Sequence, residues 1–117
     1  MTTTITYTNL DYLRLMADGD ADMEKVMLSM LLTELPAEFQ KMKNLCAARE
    51  WEELSRVSHK MKSTLAFVGN DEMTEANKAI ECSAKNAEYL GDVAGHIATM
   101  SQFMQPVMQE LEAALSS

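Results

Sequence analysis

Arg56-Val57-Ser58-His59-Lys60-Met61-Lys62-Ser63-Thr64-Leu65-Ala66-Phe67-Val68-Gly69 is the stretch whose reading decides the fold. An α-helix turns about 100° per residue. With His59 at zero, Leu54, Val57, Met61, Leu65 and Val68 cluster within roughly 40° of a direction about 200° away. That cluster is the core-facing stripe of an amphipathic helix, and His59 lies almost opposite it. The outer face around the imidazole carries Glu52, Ser55, Arg56, Lys62, Ser63 and Ala66. Ser55, Ser63 and Ala66 are small, so the ring stands in a shallow clearing rather than among long side chains. Lys62 follows one turn on, at a spacing where helix side chains meet. Gly69 ends the segment as a residue free to take the left-handed C-cap geometry.

Working outward, Ala48-Arg49-Glu50 leaves room only for a turn before a helix running from about Trp51 to Val68. Upstream, Leu28, Leu31, Leu32, Leu35, Phe39, Met42 and Leu45 keep three-and-four spacing and predict a helix from about Ala21 to Ala47. Asp20 or Asp22 starts it. Pro36 lies inside and should bend the helix without ending it, because the pattern stays in phase on both sides. Gly19 and Asp20 separate it from a short helix through Ala17, capped by Asn9 or Thr8, with Leu10, Leu13 and Met16 on one side. Residues 1–7 read as a polar tail, loose or docked, and 8–117 as one helical domain.

Downstream, Asn70 or Asp71 caps a helix predicted from Glu72 to Tyr89, with Met73, Ala76, Ile80 and Ala87 inward and Gly91 closing it. Asp92 caps the last helix, where Val93, Ile97, Met100, Met104, Val107, Leu111 and Leu115 recur every three or four residues. Pro106 should bend it. Short connections make successive helices antiparallel neighbours. The predicted fold is all-α: an up-down-up-down four-helix bundle with a short additional N-terminal helix.

Composition sets limits on function. The 117 residues suit one domain. A hydrophobic fraction of 47% with only 4 Gly and 2 Pro points to a folded, helical chain. The net charge of −8 disfavours nucleic acid and anionic membranes, both of which need a basic footprint. No apolar run approaches the ~18 residues of a membrane span, and the start lacks the build of a signal peptide. The Met1 start leans toward a free-standing protein. Cys46 and Cys82 have no metal-ligand spacing and read as reduced thiols of a cytoplasmic protein. The outer faces read as polar, which makes a monomer the expectation. The 11 methionines read mainly as adaptable core filler.

Other candidates have plain readings. His96 sits about 70° off the last helix's stripe and reads as structural. Lys60 reads as a solvated charge. Asp18-Gly19-Asp20-Ala21-Asp22 lacks the twelve-position calcium loop with its terminal Glu, and helix capping explains it. Neither histidine follows a glutamate by three residues, which excludes a ferritin-like metal centre. No Gly-rich phosphate loop or Ser-His-Asp grouping occurs, so no resident metal or cofactor is expected.

The order His59-Lys60-Met61-Lys62-Ser63 followed by Val68-Gly69 resembles the signature of the histidine-containing phosphotransfer (HPt) domain family, usually H-x-L-K-G and then a hydrophobic-Gly pair. The resemblance runs from about Leu10 to at least Ala87. Met61 stands for the usual leucine, a volume-conserving change. Ser63 stands for the usual glycine and adds a hydroxymethyl group beside the histidine. The resemblance implies the same bundle and a phosphocarrier rather than an enzyme: His59 as phosphoacceptor, with Lys62 offsetting the phosphoryl charge. Ser55, Arg56, Ser63, Ala66 and Gly69 would receive the partner. That partner would be a response-regulator receiver domain, with its own aspartate and magnesium, or a hybrid histidine kinase. Neutral imidazole is a nucleophile at pH 7, the free side chain having a pKa of roughly 6.5. With no group near His59 to activate water, the phosphoryl group should persist long enough to be passed on. Two alternatives use the same bundle: an interaction module with an idle His59, or a kinase-linked domain phosphorylated directly by the kinase.

Overall fold

The computed structural model describes residues 6–116. Among them the chain forms α1 (Asp11–Ala17), α2 (Ala21–Ala47), α3 (Trp51–Val68), α4 (Asp71–Asn86) and α5 (Val93–Ser116), with a single 3-10 turn over Leu90–Asp92. The described residues contain no strand. α3 packs against α2 and α4, and α5 packs against the same two, which closes a ring of four helices. The short α1 lies against α2 and α3.

The predicted stripes form the core. Leu31, Leu35 and Met42 of α2, Leu54, Met61 and Leu65 of α3, Met73 and Ile80 of α4, and Met100 and Leu111 of α5 are fully buried. Each such large side chain contributes roughly 1.5–3 kcal/mol of hydrophobic stabilisation. Val57, Leu32, Leu45, Met104 and Leu115 are partly buried against them. The helices continue through Pro36 and Pro106, as the unbroken apolar phase required.

Local chemistry explains most boundaries. The Asp20 carboxylate accepts from the backbone N–H groups of Asp22 and Met23 and starts α2. Asn70 does the same for α4 through Met73 N. Asn9 caps α1 from one residue further out, since Leu10 holds the cap position while Asn9 Oδ1 accepts from Asp11 N at 3.0 Å. Gly69 ends α3 with φ at 72°. That turn admits no side chain: a Cβ on Gly69 would collide with the carbonyl oxygen of Asn9.

Three expectations need correction. First, α4 ends at Asn86 and not at Tyr89. Ala87 turns left-handed at φ 55° and is exposed instead of inward, and Ala84 takes the buried place. Gly91 does not close the helix; it lies within the 3-10 turn, whose last residue is Asp92. Second, Met16 is 54% exposed and does not join Leu10 and Leu13 in the core, whereas Ala17 does. Third, the outer faces are not uniformly polar, because Met16, Met23 and Met30 are exposed along with other apolar side chains of α1 and α2. Of the two expectations for the polar tail, loose or docked, its end at Tyr7 is docked. Glu110 of α5 accepts from Tyr7 N (2.7 Å), Thr8 N (2.9 Å) and Thr8 Oγ1 (2.8 Å). Asn9 N donates to Val68 O at 2.9 Å, so this strap spans from α5 to the end of α3. Residues 1–5 of that tail lie outside the described residues.

Candidate functional site

His59 projects from the middle of α3 with 69% of its side chain exposed. Immediately before it, Ser58 is fully buried against Asn77 of α4. The Ser58 hydroxyl donates to Asn77 Oδ1 at 2.7 Å, with the Asn77 carbonyl oxygen 3.0 Å away, and Asn77 Nδ2 donates back to Ser58 O at 3.0 Å. Both partners are satisfied in a low-dielectric setting, where an unpaired polar group would be costly. This reciprocal pair pins the register of α4 against α3. One turn beyond Asn77, that register brings Glu81 up to His59.

Glu81 Oε2 lies 2.6 Å from His59 Nδ1, and Glu81 Oε1 lies 3.6 Å from Lys62 Nζ. The carboxylate is sheltered, its side chain only 17% exposed. An ionised carboxylate has no proton to give, so Nδ1–H is the donor. In the neutral ring with that tautomer the free lone pair is on Nε2. One glutamate therefore orients the imidazole and holds the lysine beside it.

Two recesses flank the histidine. Between α3 and α4, Ser55, Arg56 and His59 share a groove with Trp51 and Lys85. Arg56 reaches back to Glu52 (2.8 Å) and Glu53 (3.0 Å) on its own helix. Exposed pairs of this kind hold weakly, so Arg56 is free to exchange them for a partner's anion. Between α2 and α3, Lys62 and Ser63 share a second recess with His59, Met30 and Phe67. Lys60 also lines it; its side chain is exposed, and its Nζ lies 3.6 Å from Glu38 Oε1. Thr64 Oγ1 donates to Glu38 at 3.1 Å. Ala66 is exposed further along α3. Gly69 lies ten residues from His59, about 15 Å along the helix, at the turn under Asn9. The structure thus gathers Ser55, Arg56, Lys62 and Ser63 around His59 and leaves Gly69 apart.

Residues 26–117 match the family model of the Hpt domain. The chain belongs to the Hpt domain family. Hpt domains are phosphocarriers, not catalysts: they serve two-component phosphorelays by histidine phosphotransfer and meet receiver domains and histidine kinases. The match begins within α2 and runs through α5, so α1 and the docked strap lie outside it, while the last helix belongs to it. Comparison with curated proteins finds no match, and comparison with solved structures finds none either. Among the described residues of this Hpt domain, no helix is long and apolar enough to cross a membrane.

Glu81 is the residue that sequence reasoning missed, and it corrects the expectation that no group near His59 could act on water. Its two oxygens are turned toward Nδ1 and Lys62. The available signal was a polar Asn77 at the edge of the α4 stripe with Glu81 four residues on. Sequence alone carries no measure of cross-helix register.

Proposed function

We propose that this Hpt domain carries a phosphoryl group on His59 Nε2, exchanging it with the aspartates of receiver domains. The observation that carries the reading is the 2.6 Å contact between Glu81 and Nδ1 on a ring that is 69% exposed; with Nδ1–H donating, the neutral ring keeps its lone pair on Nε2. In the forward step the Nε2 lone pair attacks the phosphorus of an aspartyl phosphate. An N–P bond forms as the acyl O–P bond breaks, and the aspartate leaves as carboxylate. The ring becomes cationic, and its Nδ1 proton stays shared with Glu81, so no proton has to leave Nε2. Lys62 swings from Glu81 toward the incoming oxygens and offsets their charge. Ser55, Arg56, Ser63 and Ala66 form the landing around the ring, and Gly69 serves the turn instead.

Positioning of the donor aspartate and its magnesium belongs to the receiver, and this chain needs no metal or cofactor of its own for the step. An up-down-up-down arrangement of α2 to α5 and a monomeric carrier are part of the same reading. So is a cytoplasmic setting, in keeping with two free cysteines.

Incubation with a receiver domain phosphorylated on aspartate tests the proposal, using the wild type and His59→Gln. Label should appear on the wild type alone, in an acid-labile and base-stable form. Equal labelling of the variant would remove His59 from its role and leave an interaction module.

A further inference from the structure

Lys60 follows His59 in the chain and shares its recess between α2 and α3 with Lys62 and Ser63. The phosphocarrier reading gives it no task, yet its surroundings repeat those of Lys62 on the other flank. Lys62 Nζ lies 3.6 Å from Glu81 Oε1, and Lys60 Nζ lies 3.6 Å from Glu38 Oε1. Both carboxylates are sheltered and both lysines exposed; the Glu38 side chain is the more sheltered of the two, at 11% exposure. A tight charge-assisted N–H···O bond closes at about 2.7–2.9 Å, so neither ammonium is bonded closely to its carboxylate. Pairs of this kind, with an exposed cation, hold weakly. Each carboxylate also has a second donor that stays behind when the lysine leaves. Glu81 Oε2 has His59 Nδ1–H at 2.6 Å, and Glu38 Oε2 accepts from the buried Thr64 hydroxyl at 3.1 Å. Helical angles put Lys60 about 100° to one side of His59 and Lys62 about 60° to the other. One cation is thus held on α2 and the other on α4, with the imidazole between them.

We propose that Lys60 is a second cation for the phosphorylated state, leaving Glu38 to contact, opposite Lys62, the oxygens of the phosphoryl group on His59. The proposal rests on the phosphocarrier reading and gives a role to the position that the H-x-L-K-G signature leaves open. A phosphoryl group carries nearly two negative charges at pH 7, spread over three acceptor oxygens. Lys62 by itself offsets only part of that charge. Glu38 keeps the Lys60 ammonium within reach of the ring before transfer, and the Thr64 hydroxyl holds Glu38 afterwards; both are positioning residues. The bonds made and broken stay those of the forward step, and no further proton moves. A contact formed only after transfer stabilises the phosphohistidine relative to the receiver's aspartyl phosphate. The transfer equilibrium is therefore drawn toward this chain.

The test reads an equilibrium and not a rate. Docking contacts change how fast two separated proteins exchange the group, but not how it divides between them. Wild type, Lys60→Gln and Lys60→Arg are each mixed with a receiver domain phosphorylated by acetyl phosphate and magnesium and then freed of acetyl phosphate. Both proteins are kept dilute enough that their complex is scarce, and the ratio of phosphohistidine to aspartyl phosphate is read once it is constant. Lys60→Gln should lower the equilibrium constant toward His59 about fivefold, the worth of one solvent-exposed charge pair. Lys60→Arg keeps the charge and should stay within about twofold of wild type. Lys25→Gln removes the same charge from an exposed site near the start of α2 and should leave the ratio unchanged. A ratio for Lys60→Gln equal to wild type would overturn the proposal and leave the phosphocarrier intact, with Lys60 a solvated or docking charge. An equal fall in Lys25→Gln would overturn it as well, since net charge alone would then be acting. A wild type that takes no label would sink the phosphocarrier reading and the proposal with it.

Discussion

Replacing Glu81 by alanine removes the carboxylate 2.6 Å from His59 Nδ1 and leaves the helix core untouched, since the buried face of α4 is made by Met73, Ala76, Ile80 and Ala84. A charge-assisted hydrogen bond contributes about 1.5–3 kcal/mol when sheltered. The glutamate here is sheltered, but the histidine side chain is 69% exposed and water competes for Nδ1. A discounted contribution of about 1 kcal/mol is therefore appropriate. At about 1.4 kcal/mol per factor of ten, that corresponds to roughly a fivefold bias toward the tautomer with Nε2 free. Glu81→Ala should let the two tautomers approach equal population, a loss of up to about twofold in competent nucleophile. The remaining loss comes from the cationic phosphorylated ring, which no longer faces a carboxylate; about 1 kcal/mol there is another fivefold. Transfer from a phosphorylated receiver should slow about tenfold in all. Glu81→Gln keeps an oxygen acceptor for Nδ1–H without the charge and should fall between the two. Nitrogen-15 NMR of the imidazole at pH 8 reads the tautomer directly, and single-turnover transfer reads the rate. A wild-type ring protonated on Nε2, or an alanine variant unchanged in both measurements, would refute the assignment.

Three other perturbations probe the scaffold. Asn77→Ala removes both side-chain bonds of the buried pair and leaves the Ser58 hydroxyl only the backbone carbonyl of residue 77, so it should cost about 1–2 kcal/mol in urea unfolding, and it should also weaken the Glu81–His59 contact seen by NMR. Gly69→Ala forces a Cβ into the Asn9 carbonyl at φ 72° and should destabilise the domain by about 2–4 kcal/mol in thermal melts; an effect under 0.5 kcal/mol would mean the strap does not sit there. Glu110→Ala removes the acceptor for Tyr7 N and Thr8 N, whose amide hydrogen exchange should accelerate at least tenfold while the amides of the α3 core stay protected.

Much of the fold was legible because burial follows period. Leu31, Leu35, Leu54, Leu65, Ile80 and Leu111 repeat at helical spacing, and each is buried where that spacing places it. Asp20, Gly69 and Asn70 mark ends through chemistry local to the chain. The end of α4 was not legible, because Ala87 and Tyr89 accept left-handed backbone that no local signal requires. The exposed methionines of α1 and α2 escaped notice because a methionine at the edge of a buried face and one in solvent look alike in sequence.

The site divides along the same line. The sequence by itself determined that His59 stands opposite a buried stripe with Lys62 one turn away, because both lie on one helix and 100° per residue is enough to relate them. Only the tertiary structure decided that Glu81, twenty-two residues on, meets both. That contact depends on how far α4 slides along α3, and the buried Ser58–Asn77 pair sets the distance. Helical period fixes angles within an element; register between elements is settled by packing, and there the second half of the site is made.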